Sequence, residues 1–263
     1  MSKSVVSAIR KDYLYKLAQD GKRMDDRKFD EYRKITIEPG VITHAEGSAR
    51  VRLGKTEVYA GVKLELGEPY ADSPNSGVLI TNSELLPLAS PDFERGPPRE
   101  NAIELSRVVD RGIRESGMID FEKLCIEPGE KVWKVFVDLY VLDHNGNLFD
   151  ACALAGLAAL CTAKIPFERF GLGKDVPLPL ATSPPISCTH VKFNGALMAD
   201  PSLDEELIAD ARLTIALDEK SHFRAIQKGE AGSFTLDEVK EITKMAQSNV
   251  EKIRNIFKKA VKR

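Results

Sequence analysis

The sequence predicts an α+β fold, because stretches with the spacing of strands and stretches with the spacing of helices occur in blocks along the chain. Alternating and β-branched runs dominate residues 34–82 and 188–227, whereas helical spacing is clearest in residues 98–116 and 235–260. Residues 150–163 are apolar on nearly every face, which is typical of a helix enclosed by its own domain. With 263 residues, 43% of them hydrophobic, the chain can bury a large core.

The first predicted element is a short amphipathic helix over residues 4–19. Its apolar residues at roughly helical spacing are Val5, Ile9, Leu14 and Leu17. Gly21 supplies a natural stop, because glycine readily adopts the left-handed conformation that ends many helices.

A meander of strands is predicted next, from runs separated by clusters of Gly, Pro and Asn. The runs are residues 34–38, 49–53, 58–66 and 78–82. A helix over residues 98–116 follows, and then a long strand over residues 131–142. This strand ends at the turn His144-Asn145-Gly146-Asn147, directly before the enclosed helix.

The remaining part of the chain predicts further strands and one long helix. The strands are residues 188–193, 213–217 and 222–227. Thr235 and Glu238 have the spacing of a capping box, and Phe234 and Val239 that of a hydrophobic staple. The last helix is therefore expected to run to about residue 260. Neither a short tandem repeat nor a low-complexity linker divides the chain.

The composition excludes a strong overall positive field, because 38 Lys and Arg residues stand against 40 Asp and Glu residues. Nucleic-acid binding would therefore have to come from a local patch. The four cysteines form no CxxC pair, which indicates a reducing cytoplasm, and the four histidines form no zinc-type cluster. No segment reaches the roughly 20 apolar residues that span a bilayer, so we expect no membrane partner.

The helix over residues 98–116 carries a candidate basic patch. Arg107, Arg111 and Arg114 fall opposite its apolar side and present forked donors along one line, which suits successive phosphates of a single RNA strand. Arg99 lies at the start of the same helix. The competing interpretation is a solvated face, whose arginines pair with acidic neighbours on the helix. Those neighbours are Glu104, Asp110 and Glu115. The helix alone does not decide between the two.

Several blocks, in order along nearly the whole chain, resemble the exosomal branch of the RNase PH superfamily. The blocks are residues 21–27 (GKRMDDR), 45–49 (AEGSA) with Val51 and Gly54, and 104–107 (ELSR). Further blocks resemble the silent ring subunit of archaeal exosomes rather than its catalytic sister. They are residues 68–77 (EPYADSPNSG), 83–89 (SELLPLA), 96–116 and 200–207 (DPSLDEEL).

The resemblance implies an RNase PH fold, similar to domain 2 of ribosomal protein S5, with mixed or antiparallel sheets and packed helices. It also implies a hexameric ring of three heterodimers, in which a catalytic RNase PH-like subunit degrades single-stranded RNA from the 3′ end with inorganic phosphate. We expect RNA-binding cap subunits of the S1/KH type as further partners. On this interpretation residues 1–20 form an N-terminal helix and residues 21–263 a single RNase PH-like domain.

The resemblance also predicts that the chain lacks an active site of its own. Active relatives bind phosphate at a Gly-Thr-Arg turn before the enclosed helix, where Asp150 here stands about where the arginine belongs and would repel phosphate. Of the two catalytic aspartates of active relatives, Asp200 fills the first slot and Glu206 stands in the second. The acidic run 204–206 is predicted to cap a helix rather than to bind a metal, and we expect no cofactor.

The leading hypothesis is therefore a structural, RNA-binding subunit without catalytic residues, in which Arg107 and Arg111 are the main RNA contacts and Arg114 and Arg99 the weaker ones. One alternative is an independently active phosphorolytic exoribonuclease with an altered phosphate loop. Another is an unrelated α+β enzyme that acts on small molecules.

Overall fold

The computed structural model describes residues 5–262. Its first helix, α1 (Val5–Gln19), confirms the predicted N-terminal helix, although Ser4 and the side chains of Val5 and Ile9 lie outside what the structure describes. Leu14 is buried, so the described part of the helix packs an apolar side inward. Gly21 follows with a φ of +69°, as the predicted stop requires.

The described residues form five α-helices and twelve strands. The other helices are α2 (Glu100–Glu115), α3 (Leu148–Thr162), α4 (Leu203–Ile208) and α5 (Leu236–Val261). The strands up to α3 are β1 (Ile35–Pro39), β2 (Gly47–Leu53), β3 (Thr56–Gly67), β4 (Val78–Leu85), β5 (Cys125–Glu127) and β6 (Lys131–Asp143). The later strands are β7 (Lys164–Ile165), β8 (Val176–Pro177), β9 (Ile186–Phe193), β10 (Ala196–Ala199), β11 (Ala211–Leu217) and β12 (Phe223–Gly229).

The first large sheet has the order β1-β2-β3-β6-β4, and β5 pairs with β6. β1, β2 and β3 are antiparallel neighbours, as in the predicted meander. The prediction that β4 continues this meander is wrong, because β3 pairs with β6 and β4 lies beyond β6, parallel to it. Two parallel strands need a long crossover connection between them, and the local pattern of residues does not show which later strand will pair with β4.

The second sheet has the order β10-β9-β11-β12, with antiparallel neighbours throughout. β9, β11 and β12 confirm the three predicted strands, while β10 was not predicted. It forms a hairpin with β9 through Asn194 and Gly195, which both have positive φ angles. An Asn-Gly pair between two strands is a recognised hairpin signal, so the sequence did carry the information.

The main core lies between the two large sheets and is built around α3. This helix packs against strands of both sheets, and its residues 149–160 are all buried, as the all-round apolar pattern predicts. α2 packs on β4, α3 and β12, with Leu105, Val109 and Ile113 buried. A smaller apolar cluster joins α1, α4 and the outer side of β9 and β10.

α5 begins where the sequence predicts it. The Thr235 hydroxyl accepts a hydrogen bond from the Glu238 N–H at 3.2 Å, and the Glu238 carboxylate accepts one from the Thr235 N–H at 2.7 Å. These two bonds confirm the predicted capping box. Across residues 5–262, no helix is both long and apolar enough to cross a membrane.

Candidate functional site

The basic face of α2 lies opposite its buried side, as predicted. Arg107 and Arg111 are exposed, and within the described chain neither forms a hydrogen bond or an ion pair with another residue. They line one wall of an open groove of about 330 Å³ between α2 and β12, together with Gln227 of β12. The two guanidinium groups are therefore free to bind an external anion.

The other two predicted arginines are paired. Arg114 forms an ion pair of 3.0 Å with Asp110 and donates a hydrogen bond of 3.0 Å to the Leu79 carbonyl. Arg99 forms an ion pair with Glu94. The competing interpretation, in which the arginines pair with acidic neighbours on the helix, thus applies to Arg114 but not to Arg107 and Arg111. The partner of Arg99 lies before the helix.

Glu104 lies on the exposed face too, and its partner comes from the second sheet. Arg212 of β11 forms an ion pair of 2.6 Å with it. The Arg212 guanidinium also lies 4.1 Å from the ring centroid of Phe149, a cation–π contact. Arg212 was not among the predicted site residues, since a single arginine in a strand carries no local signal of a partner 108 residues away.

A second cavity, of about 210 Å³ and here called the Glu206 cavity, lies beside this ion pair and is lined by Glu206, the residue that stands in the second catalytic slot. Its charged and aromatic lining residues are Phe93, Glu104, His144, Phe149, Glu206, Arg212 and Glu230. His144 stacks on Phe93 with 5.3 Å between the ring centroids, and burial lowers the pKa of His144 to about 4, so its ring is neutral near pH 7.

Asp150 does not face this cavity, and the prediction that its charge repels phosphate there is corrected. The side chain is fully buried and accepts hydrogen bonds from the Tyr32 hydroxyl at 2.8 Å, the Asn147 amide at 2.8 Å and the Thr189 N–H at 2.9 Å. Burial raises the pKa of Asp150 to about 6. Asp150 therefore ties the first turn of α3 to β9, while Leu148 and Phe149 line the cavity.

Asp200, the first catalytic slot, is held inside a network of arginines. Arg33 binds its carboxylate through two nitrogens, at 2.7 and 2.9 Å, and Arg27 binds it at 2.9 Å. Burial alone raises the pKa of Asp200, but the hydrogen bonds and charge of Arg33 outweigh that effect and hold the pKa below its ordinary value. The carboxylate is fully buried and does not line the cavity.

The predicted capping role of the acidic run holds for Glu205. Glu205 completes a capping box with Ser202 at the start of α4 and pairs with the buried Arg23 at 2.6 Å. Arg23 and Arg27 belong to the GKRMDDR block, and both bind Asp200, so this block holds the segment that leads from Asp200 into α4. No group of three or more His, Cys, Asp or Glu side chains in residues 5–262 is arranged to hold a metal ion.

Glu206, the second slot, does line the cavity. It accepts a hydrogen bond of 2.8 Å from the Asn147 N–H, and burial raises its pKa to about 7. Together with Glu104 and Glu230 it gives the cavity three carboxyl groups against the single guanidinium of Arg212. Because Arg212 is already bound to Glu104, the cavity offers inorganic phosphate more repulsion than attraction.

The loop before α3 also has little freedom to form a phosphate-binding turn. Gly146 has a φ of +92°, and a Cβ at this position would lie 2.5 Å from backbone atoms of Pro201 and Leu203. The loop thus packs directly on the backbone that precedes α4. This close approach fixes the shape of the loop.

Comparisons with known proteins cover both halves of the chain. Residues 31–166 match domain 1 of the 3′ exoribonuclease (RNase PH) family, and residues 183–249 match domain 2. Two curated relatives are called "Exosome complex component Rrp42". The one from Methanocella arvoryzae is 54% identical over 97% of both chains, and the one from Pyrococcus horikoshii is 49% identical over 98% of this chain and 97% of its own.

Solved structures give the same result. A chain of the Archaeoglobus fulgidus exosome with RNA bound to the active site has 48% sequence identity and a TM-score of 0.94, covering 97% of this chain and 100% of its own. A chain of an archaeal exosome core has 44% identity and a TM-score of 0.90, covering 98% of this chain and 100% of its own.

Proposed function

Since this chain belongs to the RNase PH family of 3′ exoribonucleases, we propose that it is a ring subunit of an archaeal exosome that binds RNA but does not cleave it. In this role it holds single-stranded RNA in front of a catalytic RNase PH-like subunit. That subunit uses inorganic phosphate to attack the last phosphodiester bond and releases a nucleoside diphosphate.

One observation carries the proposal: Arg107 and Arg111 are exposed and unpaired within the described chain, on a helix whose other arginines are paired. They are spaced by four residues, so they lie one helical turn apart on the same face. An RNA strand presents phosphates in series, and each guanidinium can bind one through two N–H groups. Such contacts hold the backbone and carry little base preference.

The composition of the Glu206 cavity supports the absence of catalysis. Phosphorolysis needs donors that hold phosphate beside the scissile bond and carboxylates that are free to act. Here Leu148 and Phe149, at the start of α3, place apolar side chains in the cavity wall. Asp200 is bound by two arginines, and Arg212 is engaged by Glu104. None of these groups is left to hold a phosphate ion.

The alternative, independent phosphorolysis, draws support from Glu206. A carboxyl group with a pKa of about 7 is well matched to proton transfer near neutral pH. If this alternative holds, the chain alone releases nucleoside diphosphates from RNA, and Glu206→Gln abolishes the release.

The partners follow from the family. We propose three copies of this chain and three of the catalytic subunit in one hexameric ring, with S1/KH-type subunits as a cap. The relatives' names and the solved exosome structures support assembly with other exosome subunits. A cytoplasmic location and the division into an N-terminal helix and a single domain over residues 21–263 are part of the same proposal.

The test is to incubate RNA and phosphate with this chain alone, with the catalytic subunit alone, and with both together. We expect no nucleoside diphosphate from this chain alone and more from the complex than from the catalytic subunit by itself. Release by this chain alone would contradict the proposal. Equal rates with and without this chain would contradict its RNA-guiding role.

A further inference from the structure

We propose that Arg212 and Arg114 act as positioning residues that keep Arg107 available for RNA, by binding the two carboxylates that would otherwise pair with it. This inference rests on the proposed function, because it explains how the RNA-binding face stays open. The carboxylates are those of Glu104 and Asp110, and each is held by an arginine other than Arg107.

Arg107 lies between these two carboxylates along α2. Glu104 precedes it by three residues and Asp110 follows it by three, and side chains three residues apart on a helix are neighbours. An arginine with a carboxylate within reach on each side is ordinarily expected to pair with one of them. Arg107 instead forms no ion pair within the described chain, because both carboxylates are already bound.

Glu104 is held from the second sheet by a rigid partner. The Arg212 side chain is only 12% exposed, and its guanidinium lies against the Phe149 ring. Gly229 of β12 is in register with Arg212, and a Cβ at Gly229 would lie 2.4 Å from the Arg212 Nη2 atom. The absence of a side chain at residue 229 thus makes room for the guanidinium, which reaches Glu104 at 2.6 Å.

Asp110 is held from the first sheet. Arg114 binds it at 3.0 Å and is itself anchored by a 3.0 Å hydrogen bond to the Leu79 carbonyl of β4. The Thr81 hydroxyl of the same strand donates a further hydrogen bond of 3.2 Å to Asp110. The Asp110 carboxylate is therefore drawn toward β4 and away from the groove that contains Arg107 and Arg111.

The consequence concerns RNA affinity. If Arg107 were paired with Glu104 or Asp110, an RNA phosphate would first have to displace that carboxylate. The free energy of RNA binding would then be less favourable by the free energy of the ion pair. Removing Arg114 releases Asp110, which can then bind Arg107. The expected loss is about twofold to threefold in RNA affinity, the size of an exposed helical ion pair.

The experiment is a double-mutant cycle on the ring reconstituted with its catalytic partner. Affinity for a labelled single-stranded RNA oligonucleotide is measured for wild type, Arg114→Gln, Asp110→Asn and the double variant. Asparagine can still accept the bond from Thr81, so helix packing is kept, and thermal midpoints check this. We expect Arg114→Gln to weaken binding, Asp110→Asn to leave it unchanged and the double variant to bind like wild type.

Two results would overturn the inference. If Arg114 contacts RNA directly, the double variant will bind RNA as weakly as Arg114→Gln does. If only the overall charge matters, Arg114→Gln will lower the RNA affinity, Asp110→Asn will raise it, and the two effects will add in the double variant. A second cycle with Glu104→Gln and Arg212→Gln is expected to show the same non-additivity. An Arg107→Ala/Arg111→Ala ring that binds RNA like wild type would instead contradict the proposed function itself.

Discussion

Glu104 of α2 and Arg212 of β11 are 108 residues apart in the chain and form an ion pair of 2.6 Å. This pair joins the helix that carries the exposed arginines to the second sheet, and both of its residues line the Glu206 cavity. The same contact thus removes the one guanidinium that the cavity could offer to phosphate and removes a competitor for Arg107. Under the proposed function, the absence of catalysis and the availability of Arg107 for RNA therefore share one structural cause, the Glu104–Arg212 ion pair.

Replacing Asp150 with arginine is expected to unfold or strongly destabilise the chain, without creating phosphorolytic activity. The site is fully buried and supplies acceptors to Tyr32, Asn147 and Thr189, so a longer cation loses every bond and gains none. The expected loss is above about 4 kcal/mol in the free energy of unfolding. Thermal unfolding measures it, with the exposed Asp12→Arg as the control. A stable, active Asp150→Arg protein would show that charge alone silences the site.

Asp200→Asn tests the structural role of the first catalytic slot. The substitution leaves Arg33 and Arg27 without their buried carboxylate, so we expect a loss of about 3–5 kcal/mol in the free energy of unfolding. The matched control is Asp204→Asn, which breaks the exposed pair with Arg10 and is expected to cost about 1 kcal/mol or less. Similar unfolding temperatures for the two variants would show that the buried network adds little stability.

Glu206 predicts a specific dependence of stability on pH. Its pKa is raised from 4.5 to about 7 in the folded protein, so the folded state favours the protonated form. Its contribution is complete below pH 4.5 and is lost as the pH rises to about 7, with a total of up to about 3 kcal/mol. Glu206→Gln removes this dependence, so its thermal midpoint should fall less than that of wild type between about pH 5 and 8. The exposed Glu251→Gln should behave like wild type. Parallel curves for wild type and Glu206→Gln would refute the burial of this carboxyl group.

Much of the fold could be predicted from local patterns. The α+β class, predicted from the pattern of strands and helices, is confirmed, and so are the RNase PH fold and the exosomal family that the resemblance implied. The enclosed helix α3 and the capping box at Thr235 follow from apolar periodicity and residue spacing, which act over a few residues. The parallel pairing of β4 with β6 was missed, because it depends on which distant strand the chain crosses.

The site was predicted less completely, for the same reason. The exposed face of Arg107 and Arg111 follows from helical spacing. The sequence could not show that Glu104 is paired with another residue, because its partner Arg212 comes from a distant strand. Asp150 was expected to face a phosphate site, but its side chain points into the core, while that of Phe149, one residue earlier in the first turn of α3, lines the Glu206 cavity.

The most direct test of the RNA-guiding role is a titration of reconstituted rings with labelled single-stranded RNA at several salt concentrations. Wild type is compared with Arg107→Ala/Arg111→Ala and with the control Lys244→Ala/Lys252→Ala, which removes two exposed lysines from α5. Alanine preserves the helix, and the buried side of α2 is untouched, so the ring should stay intact.

We predict that the arginine variant binds RNA more weakly than wild type and the control. Its log affinity should also fall less steeply with log salt, by about 0.7 for each phosphate of the single strand that an arginine no longer neutralises. Binding curves and salt slopes identical to those of wild type would contradict the account, because Arg107 and Arg111 would then lie outside the path of the RNA.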